Sequence, residues 1–336
     1  MKKGLFWLVG ILMVFALAAC NTKPETSSET AGKETKSDTP AETVKIGFQK
    51  GNILHILKSR GNLDKALEKQ NIKVEWVEMP TGGALLEALN TNNIDFGHAA
   101  DANAVFAQAS GMPLVYVASE HPNPEGLAII VQGDSDIKTV KDLKGKKIAI
   151  GKGWNSHYLL MKALQKEGLT TNDVEFAWVK DASEGRAAFE SKRVDALGFW
   201  DPFLAVLQDD VNPKILIDGE GYTNNRTYLF ATEDFSKNHS DVLKTILEEL
   251  NKSDQWANEN KKEVAKMLAD ALGIPVKALE KTIDRRTFGV QEITDEVAAE
   301  QQDIADTFLQ EGLIEKEVSV SDSITKDPKW LPESVK

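Results

Sequence analysis

The stretch Ile148 to Leu160 holds the residues whose types and spacing best suit chemistry. Ile148-Ala149-Ile150 reads as a short buried strand, Gly151-Lys152-Gly153 as a glycine-bracketed turn, and Asn155-Ser156-His157-Tyr158 as the first turn of a helix. Asn155 or Ser156 is expected to cap that helix, because both side chains accept a backbone N–H in place of a missing carbonyl. Glycine lets the backbone come close to a ligand. Unpaired N–H groups and the positive end of the helix dipole then favour an anion. An ordinary well-capped connection has the same residues, so the weight comes from recurrence. Similar turns stand at Gln49-Lys50-Gly51-Asn52, Thr81-Gly82-Gly83 and Ala100-Asp101-Ala102-Asn103.

Several residues near these turns have two readings. His157 follows the serine, as a ligand contact or as a satisfied surface or core histidine. Asp101 follows a strand and opens a helix, as a cap or also as an acceptor for a ligand. Trp200, in Phe199-Trp200-Asp201-Pro202, is a cleft wall with one N–H donor or simply core. Asp201 is expected to cap the next helix, with Pro202 at its first position. Arg226 has the geometry to grip an anion through paired bonds, but reads as a solvated loop charge. The chain has no G-x-S-x-G, H-E-x-x-H or Walker A pattern. His55, His98, His121, His157 and His239 lack metal-ligand spacing. The reading is therefore of a binding protein, not an enzyme, with no cofactor and no metal.

The elements that must position these turns alternate. Strands at Val44–Phe48, Val74–Met79, Ile94–Gly97 and Leu114–Ala118 are interleaved with helical patterns, and the same rhythm runs from Gly126 to Ile217. Strand–helix–strand alternation predicts crossovers on a parallel sheet, and ligands of such sheets sit beyond the carboxyl ends of the strands. The fold class is α/β with two lobes and a cleft between them. Residues 44–123 form the first part of lobe 1, 124–222 form lobe 2, and 223–336 complete lobe 1 with C-terminal helices.

The start of the chain is a processing segment. Lys2 and Lys3 precede the apolar run Leu5 to Leu17, which is too short for a comfortable membrane span. Leu17-Ala18-Ala19-Cys20 resembles a bacterial lipobox, which implies removal of residues 1–19 and lipidation (diacylglycerol, palmitate) of Cys20. Cys20 is the single cysteine, so no disulfide forms within the chain. Residues 20–43 read as a flexible tether, poor in bulky apolar residues. The net charge is −12. An acidic surface argues against nucleic acid as a partner, yet a site of backbone N–H groups needs no net positive protein.

Together these residues resemble the substrate-binding proteins of ABC importers for aliphatic sulfonates, close to the taurine and nitrate binders. The likeness spans about Val44 to Lys316. It is carried by Ile46-Gly47-Phe48-Gln49-Lys50-Gly51, Trp76-Val77-Glu78, Leu86 to Asn90, Phe106 to Ala109, Lys138 to Lys146, Lys152-Gly153-x-x-Ser156-His157, Arg186 to Phe189 and Trp200-Asp201-Pro202. The resemblance implies a two-lobed periplasmic-binding-protein fold of type II. It implies one small organosulfonate held in the cleft and delivered to a permease and its ATPase for sulfur acquisition. The protein would be a monomer anchored through Cys20 on the outer face of the bacterial cytoplasmic membrane. The site would comprise Gln49, Gly51, Asn52, Asp101, Ala102, Trp154, Asn155, Ser156, His157, Trp200 and Asp201. Trp200, Trp154 and Phe48 would wall the alkyl tail. Two departures stand out: Ala100-Asp101-Ala102-Asn103 replaces a Gly-Asp-Ile-Pro-like segment, and Trp154 replaces a serine. Taurine, nitrate or a thiamine-precursor pyrimidine are alternative ligands for the same scaffold. An enzyme or a sensor lipoprotein are readings of another class.

Overall fold

The computed structural model describes residues 42–335. The expected 1–19 signal peptide and Cys20 lie outside the described residues, as does the expected tether up to residue 41. Glu42 and Thr43, assigned to the tether from sequence, instead open the first strand, paired with Ile72 and Lys73.

Along the chain come β1 (Glu42–Phe48), α1 (Ile53–Arg60), α2 (Asn62–Glu68), β2 (Ile72–Glu78), α3 (Gly82–Asn90), β3 (Phe96–Ala100), α4 (Asp101–Ala109) and β4 (Val115–Glu120). The middle of the chain adds β5 (Leu127–Val131), β6 (Lys147–Ile150), α5 (Asn155–Lys166), β7 (Glu175–Trp178), α6 (Ala182–Glu190), β8 (Ala196–Trp200), α7 (Phe203–Val211) and β9 (Lys214–Asp218). The last part holds β10 (Thr227–Ala231), α8 (Glu233–Asn238), α9 (Ser240–Glu259), α10 (Lys261–Leu272), α11 (Val276–Asp284), β11 (Val290–Gln291) and α12 (Asp295–Gln310).

The strands form two sheets, ordered β11-β4-β10-β3-β1-β2 and β7-β6-β8-β5-β9. The sheets are mixed rather than parallel. β1 runs parallel to β2 and β3, and β6 parallel to β7 and β8, because crossover helices link them. β10 lies antiparallel between β3 and β4, and β5 antiparallel between β8 and β9. Both of these strands enter their sheet directly from the other lobe, with no crossover helix to reverse them.

One plan is used twice, with an offset of one hundred residues over its second half. The Lys45 N–H donates to the Asp95 carboxylate at 2.7 Å, and the Lys147 N–H to that of Asp195 at 2.8 Å. Thr81 caps α3 and Asp181 caps α6. Asn92 and Lys192 both take a left-handed backbone, with φ of 55° and 54°. Asp101 follows β3 and Asp201 follows β8, each the third strand of its strand–helix–strand run.

Each sheet is covered on both faces, which accounts for the near-continuous apolar runs of its central strands, such as β5 and β8. The lobes also share core. Tyr158 and Met161 of α5 belong to the same buried cluster as Leu85, Tyr228 and Phe308.

Candidate functional site

The first lobe presents three turns at the carboxyl ends of its strands. After β1, the Gln49 N–H donates to Nε2 of His98 at 3.3 Å. Gly51 sits at φ 83°, where a side chain would be strained, and its N–H donates to Nδ1 of His55 at 3.2 Å. Asn52 caps α1 by accepting the Leu54 N–H. After β3, Asp101 is buried and its Oδ1 accepts the Ala102 N–H at 2.7 Å. Burial pushes the Asp101 carboxyl up to about 6, against the pull of its hydrogen bonds to backbone N–H groups and of Arg226. His98 is held neutral. Burial, with Arg286 adding to it, brings it down to about 3.

The second lobe repeats the first turn. Gly153 has φ 76°, and its N–H donates to Nδ1 of His157 at 3.2 Å. The His157 ring is buried and meets Phe176 and Trp178 edge-on, at 5.3 and 5.2 Å between centroids. Burial and then the Lys152 charge lower it to about 4. His157 and His55 thus hold equivalent turns in place. Trp154 stands T-shaped against Trp200 at 4.7 Å. A Cβ on Gly151 would fall within 1.9 Å of the Trp154 ring, so glycine there is what lets the indole lie over the turn.

The start of α5 differs from the expectation. Its N-cap residue is Trp154, and no side chain caps it. Asn155 turns its Oδ1 to the N–H of Ser156 at 3.0 Å and its Nδ2 to Oδ1 of Asn225 at 2.6 Å. Ser156 is fully buried and its Oγ has no partner among the described residues. An orphan hydroxyl carries a desolvation cost, as those of Ser119 and Ser253 also do, but only Ser156 stands at the positive end of a twelve-residue helix after a glycine turn, where a ligand acceptor would offset it.

The lobes meet on both sides of these turns. On one side, Gly153 lies against Phe106 of α4. On the other, Asp201 accepts from Arg285 at the end of α11. Asp201 also caps α7 from one residue further out than expected. Pro202 is the N-cap residue, and the Asp201 Oδ1 accepts the Ala205 N–H at 3.1 Å.

Two further expectations are corrected. Arg226 is not a solvated charge. It is buried, pairs with Glu300 at 2.7 Å, and donates to the Glu120 carbonyl and to Gln291. Phe48 is not a cleft wall, because it is 1% exposed and lies in the lobe 1 core against His55 and Trp76. A cavity of about 550 Å³ lies where the two chain crossings meet α12, lined in part by Asp101, Tyr158, Asn225, Arg226 and Glu300. Of the predicted site residues, only Asp101 lines it. Arg285, Arg286 and Asn225 escaped the sequence reading, because nothing local to them marks them as lobe contacts.

Two α/β lobes of one plan, joined by two crossings and gathering their helix starts between them, make up the type II periplasmic-binding-protein fold. The chain belongs to the NMT1/THI5-like family, whose model matches residues 67–264. The crystal structure of the periplasmic aliphatic sulphonate binding protein SsuA from Escherichia coli is 34% identical, with a TM-score of 0.81 over 85% of this chain and 92% of that one. The alkanesulfonate-binding protein SsuA from Xanthomonas axonopodis pv. citri, bound to MOPS, is 33% identical, with a TM-score of 0.77 over 86% and 99%. Both are binding proteins rather than enzymes.

Proposed function

We propose that this chain is the extracytoplasmic substrate-binding lipoprotein of an ABC importer and that it captures aliphatic sulfonates between its lobes. The observation that carries this reading is the buried, unpartnered hydroxyl of Ser156 at the start of α5. A sulfonate is a permanent monoanion with three acceptor oxygens, which suits a neutral donor backed by a helix dipole. Trp154 and Trp200, in contact and partly buried, supply apolar surface for an alkyl tail. The two SsuA proteins, similar over nearly all of the folded body, support the same ligand class.

The proposed site is Gln49, Gly51, Asn52, Asp101, Ala102, Trp154, Asn155, Ser156, His157, Trp200 and Asp201, with His55 and His157 fixing the turns. Lobe limits at 123/124 and 222/223, a lipid anchor on Cys20, a monomeric state and delivery to a permease and its ATPase belong to the same proposal. A second reading is favoured by one observation, the buried Asp101 carboxylate in the crossing cavity. It would suit a ligand that also carries an ammonium, as taurine does.

Thermal unfolding against alkanesulfonates of increasing length, taurine, sulfate, nitrate and a pyrimidine tests both. Ligand at ~100 times its Kd adds roughly 2.7 kcal/mol of stability. Stabilisation by alkanesulfonates but not sulfate is the expected result. Stabilisation by taurine alone moves the substrate, and silence across the panel overturns the proposal.

A further inference from the structure

Arg285 and Arg286 are neighbours in sequence that serve different lobes. Arg285 reaches Asp201, next to Trp200 in the second lobe. Arg286 turns into the first lobe and meets the carboxylate of Glu120, at the carboxyl end of β4. The pair therefore straddles the line along which the lobes meet.

Arg286 is part-buried, and its guanidinium has donors that no protein group uses among the described residues. Solvent reaches 15% of its side chain, and Glu120 is its one hydrogen-bond partner among the described residues. Burial draws its pKa down to about 10, so it is charged at neutral pH. A guanidinium offers five N–H donors, and buried ones are normally matched by acceptors. Its other contact is the Phe288 ring at 5.2 Å, which accepts no conventional hydrogen bond. His98, close enough to feel its charge, has already given its Nε2 lone pair to the Gln49 N–H. Glu120 is 2% exposed, and its Oε1 has no hydrogen-bond partner among the described residues. A part-buried cation whose spare donors are open to solvent stands beside a buried carboxylate with a spare acceptor, at the edge of the same turn as Gln49.

We infer that Arg286 is the counter-charge for the anionic head of the ligand, and that Glu120 competes with the ligand for it. A sulfonate fits this role because two of its oxygens match a guanidinium edge while the third stays free for another donor. The inference rests on the sulfonate reading above. It adds a first-lobe cation to the second-lobe donor Ser156, so that both lobes would hold the anion.

The test is calorimetric titration of the purified protein with butanesulfonate and with butane-1-sulfonamide, which has the same tail but no charge. Arg286→Gln is expected to lose about 100-fold in affinity for the sulfonate, and to keep its affinity for the sulfonamide. Glu120→Gln removes the competing negative charge and is expected to bind the sulfonate at least about threefold tighter. Arg286→Gln with wild-type sulfonate affinity overturns the role of Arg286 and leaves the sulfonate reading intact. A wild-type protein that binds no alkanesulfonate removes both. If Arg286→Gln does not fold, Glu120→Gln decides. Affinity unchanged or weaker in that variant makes Arg286 and Glu120 a structural pair only.

Discussion

One guanidinium nitrogen of Arg285 lies 3.1 and 3.0 Å from the two carboxylate oxygens of Asp201, and the two residues belong to different lobes. The contact is reinforced nearby. Arg285 also donates to Gln208, and Lys277 and Lys281 both reach Asp209. Together they clasp α7 of the second lobe to α11 of the first. Asp201 has only 4% of its side chain exposed, so removing its partner strands a buried charge. Arg285→Met is expected to lower stability by about 3 kcal/mol, read by chemical denaturation at pH 7.5. Adding Asp201→Asn should restore most of that loss. A double mutant as unstable as the single one would mean that the pair does not act as a unit.

Ser156→Ala separates folding from binding. Losing a buried, unpartnered hydroxyl is expected to leave the free protein as stable or up to about 1 kcal/mol more stable. The same change should weaken alkanesulfonate binding by about tenfold or more, the loss of one hydrogen bond to a charged acceptor. Thermal unfolding with and without ligand gives both numbers. Equal ligand-induced shifts in the two proteins would remove Ser156 from the site.

Two buried groups give opposite pH signatures. His157 has a folded pKa of about 4, below its ordinary 6.5. Its stabilising contribution is therefore complete above 6.5 and is lost as pH falls towards 4, because the unfolded chain takes the proton first. Asp101 has a folded value of about 6, above its ordinary 3.8. Its contribution is most favourable below 3.8 and declines as pH rises to 6, because the fold must then bury a carboxylate. His157→Gln should flatten the acid limb of stability by about 3 kcal/mol between those limits. Asp101→Asn keeps the acceptor for the Ala102 N–H and should raise stability at pH 7.5 by up to about 3 kcal/mol. Denaturation curves from pH 4 to 8 check both signs.

On the proposed site, the indole of Trp154, set against Trp200, would limit the length of alkyl tail. Trp154→Ala is expected to shift preference towards longer alkanesulfonates. Gly151→Ala should do the same by a different route, because the added methyl occupies the place of the Trp154 ring. Affinity measured along a series of chain lengths is the check. An unchanged optimum in both variants would place the tail elsewhere.

Much of this architecture is written locally in the sequence. The glycines and helix-start residues of 49–52 and 151–157 mark these turns in the sequence, and in the fold the Gly51 and Gly153 N–H groups donate to His55 and His157 four residues on, a pairing the sequence reading did not single out. The strand–helix alternation pointed to the class of fold, because burial on both faces of a sheet leaves a near-continuous apolar signal in its central strands. The family was likewise legible in short segments that recur across the whole body. What the sequence did not mark was the repeat itself. Lys45 with Asp95 and Lys147 with Asp195 show it only as hydrogen bonds, since the side chains between them differ.

Tertiary structure alone decided the partners across the cleft. Arg226 looks the same in sequence whether it faces water or Glu300, because its fate depends on a helix 74 residues away. Ser156 fits the pattern of a helix cap, yet Asn155 answers its N–H, and its buried hydroxyl has no partner among the described residues. Arg285 and Arg286 are an unremarkable pair of charges until the fold sets them between Asp201 and Glu120. Local rules fix turns, caps and strands, because those bonds close over a few residues. The charges that join one lobe to the other are chosen by distance in space, and the sequence does not encode that distance locally.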